Sequence, residues 1–500
     1  MDPARKFSAL LLLLGFVFVL GNASSKNDFG HCKSIVQKWA FSSLEQEVKE
    51  DKHTLRDLLF FLHVPRTGGR TYFHCFLKKL YPNSLECPRS YDKLRFDPSK
   101  QKCRLLVTHD DYSMMSKFPK ERLSVVTILR NPVDRIFSTY EFSIEVAARF
   151  LVHPNLTSAT QMARRLRPKA NGVSTLDIWP WKYLVPWMRE DVFARRDARR
   201  RRGLNHVMSN DPYNMKEMVM PLHEYIHDPI ARDIIHNGAT FQVAGLTNNS
   251  YTSESHAVRH CVQKYKVLGD YVLQVAKKRL DDMLYVGLTE EHRESATMFA
   301  NVVGSQVISQ LRGSNSSTRS TIDKKSELSS SFSDSKRSNN DHKHQNSISD
   351  HNESGINLPE NEEAVKENMT VEGLMDAYES CISSLRKAQS QRRISSLKRI
   401  SPANFTNEAR HRIPEVVLQQ IRSLNHLDVE LYKYAQDLFA KQHRRTMLNS
   451  ASYGSWDNML NYSYGITAWN IAIIGMAITS LPLIIFVFVN ARRRTSKVKI

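Results

Sequence analysis

Three short runs in the first third of the chain are apolar on successive positions: Leu58–Val64, Arg104–Thr108 after its first residue, and Leu123–Leu129. Such runs, without polar alternation, are expected of strands buried on both faces of a parallel sheet. Each ends in a polar cluster, and helical patterns follow two of them. The pattern predicts an α/β fold in which a central parallel sheet is flanked by helices and ligands meet the carboxyl ends of the strands. The same layout returns over 241–310. There the apolar run Phe241–Leu246 precedes a helix around Tyr265–Leu280, a short strand Leu284–Gly287 and a helix opened by Leu288–Glu291. Residues 24–57 are polar and helix-prone. Further on, helices are expected near Val371–Ala388 and over Pro414–His443, where Leu424, Leu427, Leu431, Tyr434 and Leu438 recur at helical spacing as a core stripe.

The ends of the chain change this picture. Arg5 and Lys6, the apolar run Phe7–Leu20 and Gly21-Asn22-Ala23 read as a signal peptide, residues 1–23. Ile466–Val489 is apolar and uncharged, and Arg492, Arg493, Arg494, Lys497 and Lys499 follow it. That predicts a C-terminal transmembrane helix over 466–489 and a basic cytosolic tail, 490–500. The expectation is therefore a single-span, type I membrane protein. The lumenal part comprises a catalytic domain (24–311), a polar insert (312–365), a C-terminal helical part (366–445) and a juxtamembrane segment (446–465). The insert is Ser-, Asn-, Lys-, Asp- and His-rich and too poor in apolar residues to offset its ordering entropy, so it is expected to be disordered.

Net charge is +20, from 71 Lys and Arg against 51 Asp and Glu. Such a balance favours an anionic ligand, an acidic substrate or an anionic surface. The predicted topology keeps the basic part out of reach of chromosomes, so nucleic acid is not expected as a partner. Sequons at Asn155, Asn248, Asn315, Asn352, Asn368, Asn404 and Asn461 fit a translocated chain as glycosylation candidates. Six cysteines suit an oxidising compartment and allow fifteen pairings, among them a local Cys87–Cys103 loop. With no Cys-x-x-Cys and no His-Glu-x-x-His, no metal is expected.

The chemistry starts after the first strand. Pro65-Arg66-Thr67-Gly68-Gly69-Arg70-Thr71 is small, Gly-bearing and basic, and a helical pattern from Tyr72 follows it. Strand, Gly-rich turn and helix make an anion cradle: backbone N–H groups converge, and the helix start adds positive potential. The spacing is not that of the nucleotide-triphosphate loop. A second element, Leu129–Ser138, follows the third strand. Arg130 stands at the strand end, Pro132 suits a first helical turn, and Ser138 lies within reach of the same anion. Two basic strand-end sites in one sheet suggest a nucleoside ligand phosphorylated at both ends. His109, at the end of the second strand, is the candidate general base, with Asp110 and Asp111 as rival bases or orienting partners.

Here the chain resembles a known family. His63–Thr71 is similar to the 5′-phosphosulfate-binding loop of sulfotransferases, in the form of heparan-sulfate 6-O-sulfotransferases. Leu129–Ser138 resembles their 3′-phosphate segment, and Val107–Asp110 the segment holding the catalytic histidine. Val286–Glu290 and Asn425–Tyr434 resemble later segments. With the predicted topology, the whole most resembles the plant-type tyrosylprotein sulfotransferases. The resemblance implies a P-loop-like sulfotransferase fold with 3′-phosphoadenylyl sulfate (PAPS) as co-substrate and no metal. It implies that His109 and Arg66 are catalytic, and that Arg66, Thr67, Gly68, Gly69, Arg70, Thr71, Arg130 and Ser138 bind PAPS. It further implies a Golgi membrane location and secretory precursor peptides with tyrosine beside acidic residues as partners. The runs Arg164–Arg167 and Arg195–Arg202 are candidates for attracting those acidic residues. The alternatives are a heparan-like polysaccharide 6-O-sulfotransferase and an inactive membrane-anchored binding protein. The chain departs from the heparan-type loop at Arg66, where that loop carries Lys, a more compact donor.

Overall fold

The structure is a computed structural model. It describes residues 28–45, 53–88, 94, 96–98, 102–166, 174–203, 211–312, 369–400 and 404–453. Four parallel strands form the sheet: β1 (Leu58–Leu62), β2 (Leu105–Thr108), β3 (Leu123–Leu129) and β4 (Tyr285–Leu288). Every residue of all four is buried, which is why none shows polar alternation. Their spatial order is β2-β1-β3-β4. Leu59 pairs with Leu105, Leu58 with Leu123 and Val126 with Tyr285. The chain leaves β1 towards β2 and leaves β3 towards β4, in opposite directions. A crevice therefore opens beyond the carboxyl ends of β1 and β3, the switch point at which parallel sheets bind ligands.

The helices frame that crevice. α1 opens at Gly69–Tyr72, passes through a π-turn at Phe73–Leu77 and ends at Lys78–Leu80. α2 (Pro132–Ala148) starts with Asn131 as its cap, the side-chain oxygen accepting from Val133 N at 3.0 Å, and with proline in the first turn. α3 (Trp181–Arg201) packs on α2 in a helical core distinct from the one around the sheet. α4 (Gly238–Val243) and α5 (Gly269–Asp281) precede β4. α6 (Val371–Leu397) and α7 (His426–Tyr453) follow it. Disulfides join Cys32 to Cys261, Cys75 to Cys381 and Cys87 to Cys103. The second fastens α6 to α1 across 306 residues of sequence. Met1–Ala440 forms one unit, and Lys441–Ile500 a second.

Several expectations are corrected. Phe241–Leu246 adds nothing to the sheet: it is the end of α4 and the turn after it, with Gly245 at φ 64°. The helix expected over Pro414–His443 is two, Glu415–Leu424 and α7. The expected transmembrane helix is not part of the fold as described. No helix among the described residues is long and apolar enough to cross a membrane, and 466–489 lies outside them. The expected signal peptide, the basic tail and nearly all of the polar insert also lie outside them, as do Asn315, Asn352, Asn368 and Asn461. Asn155, Asn248 and Asn404 are exposed.

Candidate active site

The turn between β1 and α1 is held in a conformation that costs energy. Gly68 has φ 82°, which glycine adopts freely, but Arg66 has φ 69°, where a side chain is strained. Three contacts hold Arg66 there. Its Nε donates to Ser138 Oγ at 2.9 Å, its guanidinium lies 4.4 Å from the Phe142 ring centroid, and its carbonyl accepts from Arg130 Nη1 at 3.2 Å. The Thr289 hydroxyl, donating to the next carbonyl at Thr67 at 2.7 Å, ties the turn to the end of β4. Gly69 has a steric reason. A Cβ there would lie 2.2 Å from His63 Cδ2 and 2.4 Å from His63 Nε2, so only glycine lets the imidazole lie against the loop.

One cavity of about 530 Å³ joins the predicted residues. Arg66, Gly68, Gly69, Arg70, Thr71, His109, Arg130 and Ser138 all line it. The size is that of ordinary ligand sites. Thr67 is the exception: it is buried and its hydroxyl donates to the Val64 carbonyl at 2.9 Å, so it braces the turn and does not line the cavity. Arg130 points to an anion. Its Nε is buried without a hydrogen-bond partner among the described residues, and Glu290 approaches no closer than 3.9 Å. Burial lowers the pKa of both Arg130 and Arg66, the latter to about 10, because the cavity wall desolvates them. An arriving anion would restore the lost solvation. Replacing Arg130 with alanine should weaken binding of adenosine 3′,5′-bisphosphate by about tenfold to a hundredfold, the worth of a charge-assisted contact. Titration calorimetry would show it, and unchanged affinity would contradict the assignment.

The His109 ring is held in one tautomer. Its Nδ1 is 3.0 Å from the carbonyl oxygen of His63. A carbonyl only accepts, so Nδ1 carries the proton and Nε2 keeps its lone pair. Burial, with Arg66 adding to it, lowers the imidazole to about 4 despite the His63 carbonyl contact, so the ring is neutral near pH 7. Asp110 and Asp111 are not its rivals. Asp110 accepts from Thr108 Oγ1 at 3.1 Å, Tyr251 OH at 3.3 Å and Asn249 Nδ2. Asp111 accepts from the backbone and hydroxyl of both Ser113 and Thr247, and from the Ser250 hydroxyl. Both carboxylates are buried and spent on fixing the 247–251 turn.

Two contributors escaped the sequence reading. Gln242 Nε2 donates to the carbonyls of His109 at 2.8 Å and His63 at 3.2 Å, which locks the two strand ends together. Nothing in the run Phe241–Leu246 marked it. On α6, Arg386, Gln389, Ser390, Arg392 and Arg393 form one helical face along the cavity. The spacing of Arg386, Arg393 and the residues between them is visible in the sequence, but tertiary contacts such as the Cys75–Cys381 bond and the Arg393–Glu141 pair at 2.9 Å show where that face lies. Part of the run Arg195–Arg202 is engaged in ion pairs. Arg195 meets Asp191 at 2.8 Å, Arg196 meets Asp197 at 3.0 Å, and Arg202 meets Glu217 at 3.1 Å.

No family model matches the chain. It is 57% identical over 514 residues to the protein-tyrosine sulfotransferase of Arabidopsis thaliana, an alignment covering 100% of both chains. The chain belongs to the protein-tyrosine sulfotransferase family. It is thus a transferase. The family segment Asn425–Tyr434 also gains a role. Asp428 at the start of α7 pairs with Arg135 of α2 at 2.9 Å, inside the protein.

Proposed function

We propose that this sulfotransferase moves the sulfuryl group of PAPS to tyrosine hydroxyls flanked by acidic residues in secretory proteins, within the Golgi lumen. The observation that carries the proposal is the meeting of the Gly68-Gly69 loop, Arg130 and His109 in one cavity at the switch point of the sheet. Family membership supplies the reaction class, tyrosine sulfation of proteins. The residues fit the donor: the loop with Arg66, Arg70 and Thr71 would hold the 5′-phosphosulfate, while Arg130 and Ser138 would hold the 3′-phosphate. Sulfuryl transfer then needs an acceptor oxygen freed of its proton and a leaving phosphate whose charge is neutralised. His109 Nε2 can accept the proton. Arg66, always cationic, stands at the loop for the leaving phosphate.

The acidic context is supported by the arginine-rich lining of the cavity. Seven arginines line the cavity, at 66, 70, 130, 149, 386, 392 and 393, of which Arg149 pairs with Glu145 at 2.8 Å and Arg393 with Glu141 at 2.9 Å. PAPS brings about four negative charges. The remainder suits carboxylates beside the acceptor. Three disulfides, accounting for all six cysteines, support an oxidising lumen. Incubation with labelled PAPS and three acceptors tests the proposal: an acidic tyrosine peptide, the same peptide with alanine flanks, and heparan. The acidic peptide should take most label. Label confined to heparan would overturn the acceptor assignment.

A further inference from the structure

We propose that His63 is a second catalytic imidazole, whose ring N–H donates a hydrogen bond to an oxygen of the transferring sulfuryl group while His109 removes the acceptor's proton. The inference rests on the sulfuryl-transfer reading above. His63 is the first residue beyond β1, and its backbone is fully occupied: N donates to the Thr108 carbonyl at 3.1 Å, and O accepts from His109 and Gln242. The ring is held just as firmly. It stacks on Phe61 at 5.5 Å and on His109 at 4.2 Å, with interplanar angles of 14° and 28°. Its Nε2–Cδ2 edge lies against Gly69, at the opening of the cradle, and it lines the same cavity as Arg66 and His109.

Yet neither ring nitrogen has a hydrogen-bond partner among the described residues. An imidazole whose backbone is fixed and whose ring stacks on two neighbours, with its polar edge unspent, is placed for a ligand. Packing alone would be served as well by phenylalanine. Burial, with the neighbouring charge of Arg66 and with His109, keeps the ring neutral, so it carries one N–H and one lone pair. Beside an anion the N–H is the end that faces it. In the transfer, the tyrosine oxygen forms a bond to sulfur as the bond from sulfur to the 5′-phosphate oxygen breaks. The electron pair leaves with the phosphate, the tyrosine proton goes to His109 Nε2, and His63 keeps its own proton. A donor fixed beforehand at the sulfuryl oxygens strengthens as their charge develops, and so acts on the rate more than on binding.

The experiment is steady-state kinetics on His63→Phe and His63→Gln, with bisphosphate affinity and thermal midpoint measured alongside. His63→Phe keeps a ring over Gly69 and against His109 but has no N–H. It should lose about 10²–10³-fold in kcat, the usual cost of one lost donor to developing charge. The peptide KM, the bisphosphate affinity and the midpoint should stay near wild type. His63→Gln, which restores a donor without the stack, should recover at least tenfold over His63→Phe. It also carries the test if the phenylalanine variant fails to fold: near-wild-type affinity with reduced but measurable kcat supports the inference, and absent binding overturns it. The inference is overturned if His63→Phe keeps kcat within about threefold, or if its loss is matched by lost bisphosphate affinity. His109→Ala run in parallel separates the two claims. Full activity there faults the base assignment, whereas full activity in His63→Phe faults only the role of His63.

Discussion

Replacing His109 with alanine should lower kcat by about 10²–10⁴-fold, the contribution of a positioned general base, while bisphosphate binding stays within a few-fold of wild type. The asymmetry follows from what each group touches. The loop and Arg130 are held by Ser138, Thr289 and the arginine pair, none of which needs the His109 ring. What the ring supplies is Nε2, oriented because Nδ1 is committed to the His63 carbonyl. Single-turnover transfer and calorimetry on the same variant check the prediction, and near-normal turnover would remove His109 from the base role. Its environment also sets a pH dependence. The base works when deprotonated, and burial lowers it from the ordinary ~6.5 to about 4 in the free protein. So kcat/KM for the donor, which reports the free enzyme, should stay level as pH falls through 6 and decline only towards 4. Bound donor brings negative charge that favours the imidazolium, so the acid limb of kcat should lie at higher pH. An acid limb near 6.5 in kcat/KM would contradict the buried, neutral ring.

Asp428→Ala should cost about 3–5 kcal/mol of stability, the penalty for stranding a buried charge. Arg135 and Asp428 are 2% and 1% exposed, and their contact is 2.9 Å. Asp428 further accepts from Thr240 N at 2.8 Å, Thr240 Oγ1 at 2.7 Å and Ala239 N at 3.2 Å. Removing the carboxylate leaves a guanidinium and three donors without compensation in the interior. Against a typical total of about 5–15 kcal/mol, that is a large share. The effect should reach the site. Arg135 lies one turn before Ser138 on α2, and Thr240 lies two residues before Gln242, which holds the His63 and His109 carbonyls. Denaturant unfolding and calorimetry would show a lowered midpoint together with weakened nucleotide binding. A wild-type midpoint would mean that this pair does not clamp α7 to the sheet domain.

The contrast between these two residues shows what was legible. His109 was marked because a strand end is a local feature: an apolar run, then a polar residue where parallel sheets put their ligands. Arg66, Gly68, Gly69, Arg70, Thr71, Arg130 and Ser138 were marked from the same local pattern, and with His109 they line one cavity. Thr67 was grouped with them as a hydroxyl of the loop and through the family resemblance, and its burial and contact with Val64 show that it faces inward. Asp110 and Asp111 looked like chemistry because carboxylates beside a histidine often are. They are occupied by Thr247, Asn249, Ser250 and Tyr251, partners more than 130 residues away.

The sequence by itself determined the four strands, the anion loop and the second basic strand end, since each is written in consecutive residues and side-chain type. Only the tertiary structure decided which groups face one another. It brought α6 and its arginines to the cavity through Cys75–Cys381, paired Arg195, Arg196 and Arg202 with carboxylates, and stacked His63 on Phe61 and His109 against the bare backbone of Gly69. The physical reason is that backbone periodicity is a local property, whereas burial, pairing and the free edge of an imidazole depend on contacts between distant segments that exist only once the chain has closed on itself.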